Sequence, residues 1–139
     1  MDSLTVLMAE DDADDRLLIE EAFSQLESPG DVRFVQDGEE LMHYLRREGK
    51  YADPGVSPRP ALILLDLNMP RKDGREALLE MKADPDLQEI PVVVWTTSNE
   101  PWDKIQSRKA GASTYLTKPA SYDDLLSAVR NIVKRYLAG

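Results

Sequence analysis

The feature that most constrains the fold of this chain is a pair of apolar runs without alternation. Residues 61–66 read ALILLD and residues 91–97 read PVVVWTT. A strand with one face in water alternates apolar and polar residues, whereas a strand covered on both faces is apolar throughout. The shortness of the runs and their β-branched residues favour strands over helices. Both runs therefore predict central strands of a parallel sheet.

Strand-like and helix-like segments alternate along the whole chain. Strands are predicted at 4–9, 32–36, 61–66, 91–97 and 113–117, and helices at 13–26, 38–48, 74–83, 101–111 and 121–137. A turn is predicted at 28–31 (SPGD), and a long Pro- and Gly-bearing loop at 49–60. This order predicts an α/β fold with a five-stranded parallel, doubly wound sheet and five helices.

The first and last helices have clear sequence signals. Asp12 is the predicted N-cap of the first, and Ser121 with Asp124 resembles a capping box at the last. The apolar stripe predicted for the first helix consists of Leu18, Ala22 and Leu26, widened by Leu17 and Phe23. The stripe predicted for the last consists of Leu125, Val129, Ile132, Val133 and Tyr136.

Length and composition exclude several classes of protein. The 139 residues suit one domain over 1–139. No apolar run approaches the roughly 20 residues of a membrane span, and the acidic N-terminus is unlike a secretory signal. The absence of cysteine excludes disulfides and thiolate chemistry. A net charge of −9 argues against nucleic acid as a partner, because phosphate binding relies on Lys and Arg. We therefore expect a cytoplasmic protein without nucleic-acid or membrane partners.

Polar residues follow the predicted strands at the points where those strands end. The first strand ends in Glu10, Asp11 and Asp12, the third in Asp66, the fourth in Thr96 and Thr97, and the fifth in Lys118 and Pro119. Because the carboxyl ends of parallel strands meet at one edge of a sheet, we expect these side chains to converge there.

The chemistry of this set is coherent. Several carboxylates close together repel one another, and a hard divalent cation such as Mg²⁺ relieves that repulsion through oxygen ligands. A carboxylate beside Mg²⁺ is a nucleophile toward phosphorus, and an ammonium (Lys118) and a hydroxyl (Thr96) suit the phosphoryl oxygens. The chain has no Gly-rich phosphate loop, and its one histidine, His43, is predicted on a surface helix. A nucleotide enzyme or a hydrolase triad is therefore poorly supported.

Four segments carry a family resemblance that covers essentially the whole chain. VLMAEDDADDRLLI, ILLDLNMPRKDG, VVVWTTS and GASTYLTKP resemble the signature segments of the receiver domains of bacterial two-component response regulators, the CheY-like proteins. The resemblance implies a flavodoxin-like (βα)5 fold and a phosphoacceptor domain with Mg²⁺ as cofactor. It implies that Asp66 accepts a phosphoryl group from a phosphohistidine of a sensor kinase, and that the chain does not turn over a separate substrate.

The resemblance also implies roles for the other site residues. Asp11 matches the main metal ligand, Glu10 its acidic neighbour acting through water, and Asn68 the residue whose backbone carbonyl completes the metal shell. The residues implied to contact the phosphoryl group or to switch are Thr96, Thr97 and Lys118. Tyr115 matches the aromatic rotamer switch, and Pro119 the proline whose preceding peptide is typically cis.

The enlarged loop at 49–60 and the segments VWTTS and YLTKP resemble the corresponding segments of single-domain regulators that partner phytochrome-type histidine kinases. This implies a bacteriophytochrome kinase as partner and no output domain after Gly139. The implied readout is protein association, with a homodimer through helix four, strand five and helix five as one form. Candidate contacts on that face are Trp102, Tyr115, Tyr122 and Tyr136, although a partly buried helix stripe is the favoured explanation of Tyr136. Trp95 is larger than the aliphatic residue common there, which fits core packing or crowding of the site.

Three alternatives remain beside this interpretation. The protein could drain phosphate from the kinase without signalling onward, or it could be an unphosphorylated scaffold, although the intact acid, Thr and Lys set argues against a scaffold. A haloacid-dehalogenase-like phosphatase would need a second Asp two residues after the nucleophile, where this chain has Asn68. The sequence alone does not name the kinase, its stimulus or the downstream target.

Overall fold

A computed structural model describes residues 4–26 and 31–137. The five strands form one parallel sheet in the order β2-β1-β3-β4-β5. The strands are β1 (Thr5–Ala9), β2 (Asp31–Val35), β3 (Leu62–Leu65), β4 (Val92–Thr96) and β5 (Thr114–Thr117). The helices are α1 (Ala13–Ser24), α2 (Gly38–Arg46), α3 (Gly74–Ala83), α4 (Pro101–Lys109) and α5 (Tyr122–Tyr136). The predicted α/β architecture is confirmed, and the turn predicted at 28–31 lies, except for Asp31, outside the described residues.

The three central strands are buried along their whole length. Every residue of β1, β3 and β4 is buried, whereas the edge strands β2 and β5 are partly exposed. Each central strand has apolar side chains on both faces, because α1 and α5 cover one face and α2 and α3 cover the other. The apolar runs at 61–66 and 91–97 are explained by this double coverage.

The buried face of α1 confirms Ala22, Phe23 and Leu26 of the predicted stripe, whereas Leu17 and Leu18 were predicted wrongly. Leu17 and Leu18 are exposed, and the residues that pack on the sheet are Ile19, Ala22 and Phe23, with Leu26 at the end of the same line. This line also has helical spacing, so the periodicity of the segment fits two overlapping stripes and the packing selects one. The predicted cap is confirmed, since the Asp12 carboxylate accepts from the backbone amides of Asp14 and Asp15.

The last helix follows its prediction closely. Leu125, Val129 and Ile132 are buried, and Val133 and Tyr136 pack partly buried against the same core. Ser121 Oγ accepts from the amide of Asp124 at 3.1 Å, which is the N-cap half of the predicted capping box.

Two close backbone contacts hold the connection between β3 and α3 in place. A Cβ on Gly74 would lie 2.1 Å from the carbonyl oxygen of Asp66, and a Cβ on Gly38 would lie 2.1 Å from that of Lys72. The starts of α3 and α2 therefore approach this connection more closely than any other residue type permits. In the segment predicted as a loop, residues 49–60, the structure has a short 3₁₀ turn at Gly49–Tyr51.

Among the described residues, none of the helices combines the length and the apolarity needed to cross a membrane.

Candidate functional site

An open cleft of about 540 Å³ lies at the carboxyl-terminal edge of the sheet. It lies at the ends of β1 and β3, the neighbouring strands at which the strand order reverses, a common ligand position in open α/β sheets. The sequence placed its candidate site at this edge. The lining residues used below are Glu10, Asp11, Asp15, Asp66, Asn68, Thr97 and Lys118.

Asp66 is the first residue after β3 and is held by contacts from three directions. Its amide donates to the carbonyl of Ala9 at 3.1 Å, which extends the β1–β3 pairing by one residue. Its Oδ1 accepts from the amide of Asn68 at 3.1 Å, and its Oδ2 accepts from Lys118 Nζ at 3.1 Å. The residue is 5% exposed. A rigid strand end thus presents a nearly buried carboxylate to the cleft.

Glu10 is more deeply buried than Asp66, at 1% exposed. Its Oε1 accepts from the amide of Asp12 at 3.1 Å. Its Oε2 lies 2.7 Å from Lys118 Nζ, but at an angle that does not make a hydrogen bond, so this oxygen accepts none from the described residues. Burial raises the pKa of Glu10 to about 7, against the opposing effect of Lys118 and with a further rise from the charge of Asp66.

Lys118 is shared among three carboxylates. Its ammonium lies 2.7 Å from Asp15 Oδ2, 2.7 Å from Glu10 Oε2 and 3.1 Å from Asp66 Oδ2. Burial alone would lower the pKa of Lys118, but the contacts with Asp15 and Glu10 and the charge of Asp66 outweigh it, so the pKa lies above its ordinary value. One cation therefore faces a surplus of negative charge, to which the exposed Asp11 adds.

The arrangement of the acids fits a divalent metal ion. Carboxylate oxygens of Glu10, Asp11 and Asp66 all lie within 4.8 Å of one another. All are hard oxygen donors of the kind that Mg²⁺ and Mn²⁺ bind. Glu10 Oε2 is buried and has one neighbouring cation, Lys118, which it shares with Asp15 and Asp66, so the negative charge of the cluster exceeds the positive charge that faces it. The donor set thus suits a hard divalent cation.

The two threonines after β4 occupy different positions. Thr97 lines the cleft. Thr96 is completely buried, is not part of the cleft lining, and its Oγ1 lies 3.4 Å from the amide of Ser98. Of the two threonines, only Thr97 is therefore open to the cleft.

A network of polar contacts that the sequence analysis did not anticipate surrounds the β4–α4 connection. Arg75 binds both carboxylate oxygens of Asp103, and Ser98 Oγ donates to Asp103 Oδ2 at 2.6 Å. The hydrogen bonds from Arg75 and Ser98 hold the pKa of the Asp103 carboxyl below its ordinary value. Tyr115, the predicted rotamer switch, donates from its hydroxyl to the carbonyl of Ser98 at 2.9 Å. Tyr115 is thus already joined to the segment that follows Thr96.

Asp15 is another residue of the site that the sequence analysis missed. The acids of residues 10–15 suit a solvated helix start, and five of the six residues are acidic, so nothing in the run distinguishes Asp15. Asp15 lies in the first turn of α1, and its 2.7 Å contact with Lys118 joins residues 103 positions apart, which no local pattern specifies.

The peptide bond before Pro119 corrects one expectation. None of the described peptide bonds is cis, so the Lys118–Pro119 bond is trans, contrary to what the resemblance implied. The trans form of an X–Pro bond is favoured by only about 0.5–1 kcal/mol over the cis form, so local sequence decides little. With the trans bond, Lys118 still pairs with β4, its amide donating to the carbonyl of Thr96 at 2.7 Å.

The two tryptophans have different environments. Trp95 is 2% exposed and packs in the core beneath α1 and α5, which confirms the packing explanation of its size. Trp102 is 63% exposed. It lines a groove between α3 and α4 together with Leu79 of α3, so this candidate contact of the face formed by α4, β5 and α5 also borders α3.

A second cavity of about 440 Å³ lies at the opposite edge of the sheet, where the strands begin. It is lined by residues from the end of α2 and from the segments before β3 and β4, among them Arg46, Arg59 and Asp84. Its lining contains neither Glu10, Asp11 nor Asp66. Of the two cavities, only the first therefore has the carboxylates that suit a metal ion.

Comparison with known proteins agrees with this geometry. The family model of the response regulator receiver domain matches residues 6–130. A curated relative, the response regulator Rcp1 of Synechocystis sp., is 42% identical over 132 residues, which are 95% of this chain and 88% of the relative. Similarity therefore extends over nearly the full length of both proteins.

Solved structures show the same relationship. The phosphorylated cyanobacterial phytochrome response regulator RcpA is 43% identical, with a TM-score of 0.91 and coverage of 99% of this chain and 96% of that one. The Mn²⁺-bound form of Rcp1 is 41% identical, with a TM-score of 0.88 and coverage of 97% and 95%. The regulator RPA3017, described in red light signalling of R. palustris, is 35% identical, with a TM-score of 0.89 and coverage of 97% and 94%.

Proposed function

The chain belongs to the response regulator receiver domain family, and from this premise we propose that Asp66 is its phosphoacceptor in a two-component phosphorelay. The observation that supports this role most directly is the position of the Asp66 carboxylate. It is fixed at the end of a central strand, faces the cleft, and is bonded on its two oxygens by Asn68 and Lys118.

In the proposed reaction a carboxylate oxygen of Asp66 attacks the phosphorus of a phosphohistidine on a sensor kinase. The P–O bond to Asp66 forms as the P–N bond to the imidazole breaks, and the imidazole leaves with that electron pair. The strand end positions the nucleophile, and positioning supplies a large share of the acceleration in phosphoryl transfer. Lys118, already 3.1 Å from Asp66, is placed to contact a phosphoryl oxygen after transfer.

Glu10, Asp11 and Asp66 are the side chains that would hold a divalent cation, and the backbone carbonyl of Asn68 is the further ligand that the family resemblance implies. We take Mg²⁺ as the physiological ion, because the donors are hard oxygens; the Mn²⁺-bound form of Rcp1 is the metal-bound structure of a relative. Such an ion, when bound, neutralises charge on the phosphoryl oxygens.

After transfer, the new charge and acceptor oxygens at Asp66 attract the hydroxyl of Thr96. Thr97, which lines the cleft, is the second hydroxyl proposed to contact the phosphoryl group. Thr96 leaves its buried position and the residues after β4 follow. Tyr115 loses its present partner, the carbonyl of Ser98, when this segment moves. The surface formed by α4, β5 and α5 is thereby changed, and this change is the proposed output.

A bacteriophytochrome-type histidine kinase is the partner that we propose. The proposal is supported by two similar proteins: RcpA is a cyanobacterial phytochrome response regulator, and RPA3017 is described in red light signalling. The proposed output is association of the phosphorylated protein, including a homodimer through α4, β5 and α5. Draining phosphate from the kinase is the alternative. We further propose a cytoplasmic protein that turns over no separate substrate and binds neither nucleic acid nor membrane.

The decisive experiment is phosphorylation by acetyl phosphate with Mg²⁺, read as labelling of the intact protein that base or hydroxylamine removes, as expected of an acyl phosphate. The wild type is expected to acquire one phosphoryl group, and Asp66→Asn none. Asp73→Asn is the matched control, because Asp73 lies in the same connection but serves as the N-cap of α3. Undiminished labelling of Asp66→Asn would contradict the assignment of Asp66 as the phosphoacceptor. Transfer from an autophosphorylated bacteriophytochrome kinase to the wild type then tests the proposed partner.

A further inference from the structure

One ion pair joins the first turns of α3 and α4. Arg75 donates from Nε and Nη2 to the two carboxylate oxygens of Asp103 at 2.9 and 2.8 Å. Asp103 is 6% exposed. A bidentate pair of this kind is stronger and more directional than a single contact, and opening it would leave a buried carboxylate short of a partner. The start of α4 is therefore anchored to α3.

The same carboxylate holds the segment that follows β4. Ser98 Oγ donates to Asp103 Oδ2 at 2.6 Å, and the carbonyl of Ser98 accepts from the Tyr115 hydroxyl at 2.9 Å. The amide of Ser98 lies 3.4 Å from Thr96 Oγ1. Because Ser98 is two residues after Thr96, a movement of Thr96 toward Asp66 pulls directly on these contacts.

We propose that Arg75 and Asp103 form a latch that holds Ser98, and with it Thr96, in the arrangement found here, and so sets the free-energy cost of switching. The inference rests on the proposed function and adds two positioning residues to it. Neither residue contacts the phosphoryl group; they act through Ser98 on the hydroxyl that does.

The physical argument is that of a two-state equilibrium. An interaction made in one state and lost in the other shifts the equilibrium by the difference in its free energy. When Ser98 moves, Asp103 does not follow it, because both carboxylate oxygens of Asp103 accept hydrogen bonds from Arg75. The Ser98–Asp103 hydrogen bond is then lost. Arg75 Nη1 also lies 3.5 Å from Asn68 Oδ1, so the latch contacts the connection after β3 as well. Weakening the latch should therefore favour the phosphorylated arrangement.

The test is the affinity for beryllofluoride with Mg²⁺, a stable mimic of the phosphoryl group, measured by isothermal titration calorimetry. Asp103→Asn and Arg75→Gln are both expected to bind it more tightly than the wild type, by roughly fivefold or more. Arg71→Gln is the matched control. Arg71 pairs with Asp37 at 2.7 Å, a contact that ties the connection after β3 to the start of α2 and does not touch Ser98.

The charges of these variants separate the latch from a general electrostatic effect. Arg75→Gln and Arg71→Gln make the chain more negative by the same amount, whereas Asp103→Asn makes it less negative. An electrostatic effect alone would move the two arginine variants together and Asp103→Asn in the opposite direction. The latch instead moves Arg75→Gln and Asp103→Asn in the same direction and leaves Arg71→Gln close to the wild type.

Ser98→Ala removes only the hydroxyl that donates to Asp103, and it replaces Asp103→Asn in the test if that variant does not fold. Ser98→Ala is also expected to bind beryllofluoride more tightly than the wild type. Thermal unfolding of each variant confirms that it is folded. Unchanged or weaker affinity in Arg75→Gln and in Asp103→Asn or Ser98→Ala overturns the latch while leaving the proposed function intact. Failure of the wild type to bind beryllofluoride overturns the proposed function itself.

Discussion

Lys118 Nζ lies closer to Asp15 than to Asp66, at 2.7 Å against 3.1 Å, although Asp15 is 103 positions earlier in the chain. The ammonium at the centre of the site is therefore shared between the carboxylate proposed to react and one on the first turn of α1. Before a phosphoryl group arrives, Lys118 neutralises part of the acidic cluster, and afterwards it is available to the new oxygens.

Lys118→Met is expected to destabilise the metal-free protein, by up to about 3–5 kcal/mol, because it leaves buried carboxylates without their cation. Addition of Mg²⁺ should then raise the thermal unfolding midpoint more in this variant than in the wild type. Differential scanning fluorimetry with chelator and with millimolar Mg²⁺ measures both effects. Lys104→Met is the control, since Lys104 is exposed on α4. Equal Mg²⁺ responses in the two variants would contradict this role for Lys118.

Asp11→Ala is expected to weaken Mg²⁺ binding severalfold at neutral pH. The substitution removes one of the three carboxylates whose oxygens lie within 4.8 Å of one another. A titration followed by intrinsic tryptophan fluorescence measures the affinity. Asp14→Asn removes the same charge from the same acidic run without touching the trio, so it separates loss of a ligand from loss of charge. If Asp11→Ala binds as the wild type does, Asp11 is not a ligand.

Gly74→Ala is expected to destabilise the fold by about 1–3 kcal/mol or more, the range of overpacked sites, because its Cβ would lie 2.1 Å from the carbonyl oxygen of Asp66. Urea unfolding followed by circular dichroism measures the change. Gly55→Ala serves as the control, since the nearest atom to its Cβ is a flexible Asp53 carboxylate oxygen at 3.3 Å. A Gly74→Ala protein as stable as Gly55→Ala would show that the approach of α3 to Asp66 is not constrained.

The proposed homodimer is expected to form, or to strengthen, on addition of beryllofluoride with Mg²⁺. Sedimentation velocity of the free and beryllofluoride-treated protein measures it. Arg130→Glu, on the exposed side of α5, is expected to weaken the treated dimer if α5 lies in the interface, whereas Arg47→Glu, after α2, should not. A monomer under both conditions counts against dimerisation as the output.

Much of the site was predictable because its residues stand at strand ends. Asp66, Glu10 and Lys118 were each identified from an apolar run and the polar residue that follows it, and a parallel sheet brings such residues to one edge whatever its loops do. Thr96 was identified in the same way. Its complete burial was not predicted, because position along a strand does not specify where a side chain points at the strand's end.

The contacts between helices were not predictable in this way. Arg75 and Asp103 are 28 positions apart on different helices, and each is an ordinary first-turn residue in the sequence. The exposure of Leu17 and Leu18 belongs to the same class, since two overlapping stripes of α1 have helical spacing and only packing against the sheet selects one.

The sequence by itself determined the order of strands and helices along the chain, the caps of the first and last helices, and the family of the chain, because these depend on local periodicity and on residues within a few positions of one another. The tertiary structure alone decided which face of α1 is buried, which carboxylates share Lys118, and how Asp103 comes to hold Ser98. These contacts depend on how helices separated in sequence settle on a common sheet, and the free energy of that packing is a sum over the whole core.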